Sequence, residues 1–216
     1  MIPLRALLQR NSTPVATILI IVLNLLCFLT ELSLPPYANS LFIQKYAMVP
    51  DHLRLTSLVT SMFLHGGWLH LIGNMWFLWV FGSHIEDALG SGRYLVLYFS
   101  SGIVSAIVQL AATLGSPVPT LGASGAIAGI MGAFLVLYPR VRVNTLIFIL
   151  FFITTFEIPA AFMLIYWFVI QLVSGLGSMT SFSQTQSVAW FAHVGGFLAG
   201  VLLVRLFPTR YRRFSY

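Results

Sequence analysis

From Val15 to Leu32 the chain reads VATILIIVLNLLCFLTEL. Wound as a helix, that run is about as long as the ~30 Å hydrocarbon core of a bilayer is thick. Apolar runs of this kind recur along the chain, and they decide the fold class before any motif does. Backbone N–H and C=O groups find no water inside lipid, so only helices and closed barrels cross it. The runs are too long for barrel strands and lack their alternating pattern, which leaves an all-α membrane protein. Composition agrees: 7% of residues are charged and mean hydropathy is +0.92, where a soluble domain would carry roughly a quarter charged residues.

Six crossings fit best, at about 14–34, 67–87, 92–114, 123–138, 157–175 and 189–207. They imply one transmembrane domain over residues 1–216, with short tails at about 1–13 and 208–216. The basic start from Met1 to Arg10 resembles a signal peptide, but the apolar run behind it is too long and no small-x-small cleavage site follows. It is therefore expected to stay as the first span. An even number of spans puts both termini on one side. That side would hold Arg5, Arg10, Arg93, Arg140, Arg142, Arg205, Arg210, Arg212 and Arg213, against Lys45 and Arg54 opposite. Positive charge collects on the cytoplasmic face, so both termini are expected there. The net charge of +6 thus reads as a topology signal; no basic stripe interleaved with aromatics points to nucleic acid. Cys27 is the one cysteine, which excludes an intramolecular disulfide and a cysteine-built zinc site.

Val143 to Ser174 is almost all apolar, and as one helix it would run about 48 Å, too long for one crossing. Two crossings would move Arg210, Arg212 and Arg213 outside. The reading adopted is one crossing after Pro159, preceded by a re-entrant or interfacial piece near Val143–Phe156. Glu157 is the acid that looks intramembrane, and its plain role is to cap or break a helix beside Pro159. The outer connection Pro35–Gly66 is expected to lie partly in the interface, and the glycine- and serine-rich loop Gly175–Ser187 to be mobile. The five tryptophans, Trp68, Trp76, Trp79, Trp167 and Trp190, fit interface belts.

In this topology the second, fourth and sixth spans run from outside to inside. Near their outer ends sit His65, His70 and Asn74, then Ser124, then His193. Polar groups from three remote stretches therefore meet at one depth, where such groups face the bundle interior or a water-filled cavity. The fourth span begins Gly122-Ala123-Ser124-Gly125. Alone, that serine reads as helix packing, because small residues dominate such interfaces. Gly125-x-x-x-Gly129 and Gly196-x-x-x-Gly200 allow close backbone approach, and this would bring His193 within hydrogen-bond reach of Ser124. His70 and Asn74, four apart, share a helix face and are donors suited to a developing oxyanion. Nucleophile, base and oxyanion donors together make an acyl-transfer site. His52 and His84 read as ordinary loop or interface residues. No acid accompanies the outer histidines, so a metal site is not expected, nor any cofactor.

FLHGGWLHLIGNMWFLWVFG, GASGAIAGIMGA and AHVGGFLAG, together with EDALGSGRY after the second span, resemble the rhomboid intramembrane serine proteases over roughly Thr56 to Val204. The resemblance implies a six-helix rhomboid-like bundle, with Ser124 as nucleophile and His193 as base in a dyad. His70 and Asn74 would stabilise the oxyanion; His65, Gly122, Gly125 and Gly196 would be structural. It also implies cleavage of transmembrane segments of other membrane proteins, with the lipid bilayer as milieu and lateral entry past the region from Pro159 to Ser187. Some bacterial members carry an aromatic residue one turn after the nucleophile, packed on the histidine; Ala128 stands there here. No acid near His193 in sequence supports a full triad. The competing reading is an inactive rhomboid-like protein that binds or escorts membrane clients; a small transporter lacks the repeats it would need. Oligomeric state is not legible, and the short basic start points to a bacterial plasma membrane.

Overall fold

Val15–Ser33 forms helix α1, and its first turn shows how the bundle handles polar ends. Residues ahead of it offer no side-chain cap. The carboxylate of Glu86 instead accepts the N–H groups of Ala16 and Thr17 and the Thr17 hydroxyl, each at 2.8 Å. A buried anion at a helix N-terminus satisfies orphan donors and faces the positive end of the dipole. Further along, Ile20, Asn24, Phe28 and Glu31 are buried at helical spacing, while Leu19, Leu23, Leu26 and Leu29 lie bare. Asn24 and Glu31 point in together with Ile20 and Phe28, and the leucines point out.

The computed structural model describes residues 1–149, 152–180 and 189–210. After α1 come α2 (Pro36–Tyr46) and the short α3 (Ser57–Thr60). A continuous helical run then comprises α4 (Trp68–Phe77), a π-helical segment (Leu78–Gly82) and α5 (Ser83–Leu89). The remaining helices are α6 (Ser91–Ala112), α7 (Ser124–Leu137), α8 (Ala160–Thr180) and α9 (Trp190–Leu203). Among the described residues, three helices are long and apolar enough to cross a membrane: α1, α6 and Ala160–Ser178 of α8; α7 and the stretch Trp190–Leu206 are shorter apolar helices. α7 is the central post, buried along nearly its whole length, and Pro139 stops it.

The all-α expectation needs a correction. A three-stranded antiparallel sheet joins β1 (Ile2–Ala6), β2 (Arg142–Ile149) and β3 (Phe152–Pro159), in that order. Val143 pairs with Ile158 and Asn144 with Glu157 across the hairpin. The piece expected to be re-entrant or interfacial is therefore a β-hairpin, and part of the N-terminal tail is its third strand. The stretch is rich in Val, Ile, Thr and Phe, which suit a pleated strand. An unbroken apolar run does not by itself separate a strand from a buried helix. Glu157 is exposed on β3, whereas Glu31 and Glu86 are the buried glutamates among the described residues.

Both end segments meet α5. Asn11 N–H and the Ser12 hydroxyl donate to Asp87, and Arg210 N–H donates to the Ala88 carbonyl. Of the loop expected to be mobile, residues up to 180 continue α8, and 181–188 lie outside the described residues, as do 211–216 of the C-terminal tail.

Candidate active site

Ser124 opens α7. No side chain caps that end, so the first amide N–H groups of the helix have no partner within it. The loop ahead is pinned. Met48 and Thr120 exchange backbone hydrogen bonds of 3.0 and 2.8 Å, and Gly122 N–H donates to the Ser61 carbonyl at 2.8 Å. The outer connection thus does more than lie in the interface: Met48, Val49, Met62 and Leu64 are buried in the fold. Gly122 has φ +120°, and a Cβ there would come within 2.8 Å of both Cε1 and Nε2 of His70. Glycine is needed twice at this position, for conformation and for space.

On the far side of α7 stands α9. A Cβ on Gly196 would strike the Gly125 carbonyl, and one on Gly200 would strike that of Gly129. The two helices touch backbone to backbone, and this approach places His193 Nε2 at 2.8 Å from Ser124 Oγ. His193 and Ser124 are both partly exposed.

The second histidine group lies against Gly122, in the loop that leads into Ser124. His70 Nδ1 accepts Gly66 N–H at 3.4 Å, which leaves the ring hydrogen on Nε2, the edge that borders Gly122. Asn74 Nδ2 sits 3.0 Å from His65 Nε2, and 3.6 Å from where a Gly122 Cβ would be. His65 is buried, and its backbone N–H donates to Glu31 Oε1 at 3.1 Å. Glu31 thus anchors the His65 backbone, and the His65 ring meets the Asn74 amide. His70, Asn74, Ser124 and His193 converge; His65 stands behind Asn74. His84 is buried against the ring of Phe134 and His52 is exposed beside Asp51.

The sequence reading missed three contributions. Gln171 of α8 is buried, and its Oε1 lies 2.6 Å from His193 Nδ1. Gln109 of α6 caps α9 through its Oε1, which accepts Ala192 N–H at 3.1 Å. Trp167 and Trp190, assigned to interface belts, flank His193 with ring centroids 5.8 and 6.4 Å away. The aromatic support absent at Ala128 therefore comes from α8 and from α9 itself. A lone amide in an apolar run carries no signal of its partner, which is why the glutamines were not singled out.

The family model of the rhomboid domain matches residues 52–210. This chain belongs to the rhomboid family. Among its relatives, mitochondrial rhomboid protein 1 of Saccharomyces cerevisiae is 31% identical over 172 residues, covering 74% of this chain and 45% of the relative. The rhomboid protease GluP of Bacillus subtilis is 44% identical over 78 residues, 36% of this chain and 15% of that protein. Rhomboid-like protease 3 of Toxoplasma gondii is 29% identical over 191 residues, 87% of this chain and 66% of that one. This rhomboid spans less than half the length of the first two. Mitochondrial names recur among the relatives, so the bacterial plasma membrane expected from the N-terminus is not supported; what stands is a membrane-embedded rhomboid domain.

Proposed function

We propose that this rhomboid is a serine endopeptidase that cleaves transmembrane segments of other membrane proteins. The observation that carries the reading is the 2.8 Å approach of His193 Nε2 to Ser124 Oγ, made by residues 69 apart in sequence. His193 takes the Ser124 hydroxyl proton as Oγ attacks the scissile carbonyl carbon. The oxyanion draws hydrogen bonds from His70 Nε2–H, from the free hydrogen of Asn74 Nδ2 and from the Ser124 N–H. The protonated imidazole then gives its proton to the departing amine. Water, activated by the same imidazole, releases the acyl group from Ser124 and restores the enzyme.

The bundle crosses six times in this reading: α1, the run Trp68–Leu89, α6, α7, α8 and α9. The contacts of residues 11–12 and 210 with α5 support both termini lying at one face, which arginine asymmetry makes the cytoplasmic one. α7, with 14 residues, rises about 21 Å, less than the ~30 Å hydrocarbon core, which supports Ser124 lying below the opposite surface.

The test is cleavage of a transmembrane reporter by the purified chain in liposomes. The wild type is expected to cut, and Ser124→Ala and His193→Ala to lose activity while keeping their helical content. Reporter binding without turnover in the wild type would assign the protein to client escort instead.

A further inference from the structure

We infer that Gln171 is a positioning residue that completes the dyad from outside it, fixing the tautomer and the tilt of the His193 ring. The inference rests on the protease reading above. An imidazole can serve as base at Nε2 only if its hydrogen is on Nδ1. Gln171 Oε1, 2.6 Å from Nδ1, is an acceptor at that atom, so Nδ1 donates and Nε2 is left open to take the Ser124 proton. Burial makes this arrangement firm, because Gln171 is closed off from water that would compete for the bond.

Among the described residues, the groups facing His193 leave no other for this task. α7 offers Ser124, on Nε2. Trp167 of α8 and Trp190 of α9 offer ring faces and edges, which restrain tilt but accept no strong hydrogen bond. The titratable neighbour is His70 of α4, and no carboxylate among the described residues is recorded acting on the ring. Gln171 thus stands where an orienting carboxylate stands in a triad, but it is neutral. A neutral acceptor orients the ring but stabilises imidazolium far less than a carboxylate would.

The location adds a consequence. Gln171 belongs to α8, a helix whose outer side is bare apolar surface from Phe162 to Leu176 and which meets α9 through the rings of Trp167 and Phe168 against Phe197. Any displacement of α8 away from α9 by about 1 Å carries the acceptor beyond normal hydrogen-bond range. The dyad is therefore in working order only while α8 is docked.

The experiment measures kcat, KM and the pH–rate profile of the full chain in liposomes for Gln171→Leu, Gln171→Asn and Gln171→Glu, with Ser124→Ala as control. Gln171→Leu is expected to lower kcat about 10-fold or more with KM within about twofold. That fold-change corresponds to about 1.4 kcal/mol of barrier. Gln171→Glu is expected to move the acid limb of kcat/KM to higher pH, because a carboxylate at Nδ1 stabilises the imidazolium that cannot act as base. If Gln171→Leu does not fold, the limb measured in Gln171→Glu decides alone. Wild-type kcat in Gln171→Leu, or an unmoved limb in Gln171→Glu, overturns the inference. Cleavage that survives Ser124→Ala would overturn the protease reading itself, a result the glutamine variants do not produce.

Discussion

The two sides of α9 are built on opposite principles. Toward α7 it presents Gly196 and Gly200, and the partner backbone lies so close that any Cβ would collide with a carbonyl. Toward α8 it presents Phe197 and His193, met by Trp167, Phe168 and the Gln171 amide. The first seam has no side chain that can rotate to make room, so it sets the Ser124–His193 distance with little freedom. The second is a seam of large rings and the Gln171 amide, side chains that can rotate. Geometry of the dyad is thus assigned to a backbone seam, and orientation of its base to a side-chain seam.

The most drastic way to break the contrast is to fill the first seam. Gly196→Val drives its Cβ into the Gly125 carbonyl, and is expected to cost more than about 3 kcal/mol, beyond ordinary overpacking because backbone must move. Denaturant titration followed by circular dichroism should show early unfolding and no cleavage. On the second seam, Trp167→Ala is expected to keep the fold while reducing kcat several-fold, since the ring supports His193 from the side. Equal loss of stability in both variants would erase the distinction.

A buried anchor far from both seams comes next. Glu86→Gln removes the charge that accepts from Ala16, Thr17 and Ser91, and should cost about 1.5–3 kcal/mol, read as a shifted unfolding midpoint. Ala128→Phe probes whether the turn after Ser124 has room for an aromatic: Ala128 is fully buried, so about 1–3 kcal/mol of overpacking is expected, with no gain in activity. Smallest of all, Glu157→Gln on exposed β3 should shift stability by less than about 0.5 kcal/mol.

What the sequence made legible follows from how local each signal is. Apolar length located the helices to within a few residues, because lipid imposes it directly: the expected 123–138 became Ser124–Leu137. The meeting of Ser124 and His193 was legible because glycines spaced four apart on both helices announce a close approach. The hairpin Arg142–Pro159 was not, since strand and buried helix share one apolar signature there. Gln171, Gln109 and Glu31 escaped for a different reason: each is a single polar residue whose meaning lies wholly in a partner from another helix.

The central claim is that Ser124 is a nucleophile activated by His193. A serine-directed phosphonylating probe, followed by peptide mapping of the adduct, tests it most directly. The account predicts one modified residue, Ser124, with labelling lost in His193→Ala. A wild-type chain that cuts its reporter while Ser124 stays unmodified, or one labelled equally without His193, would contradict it.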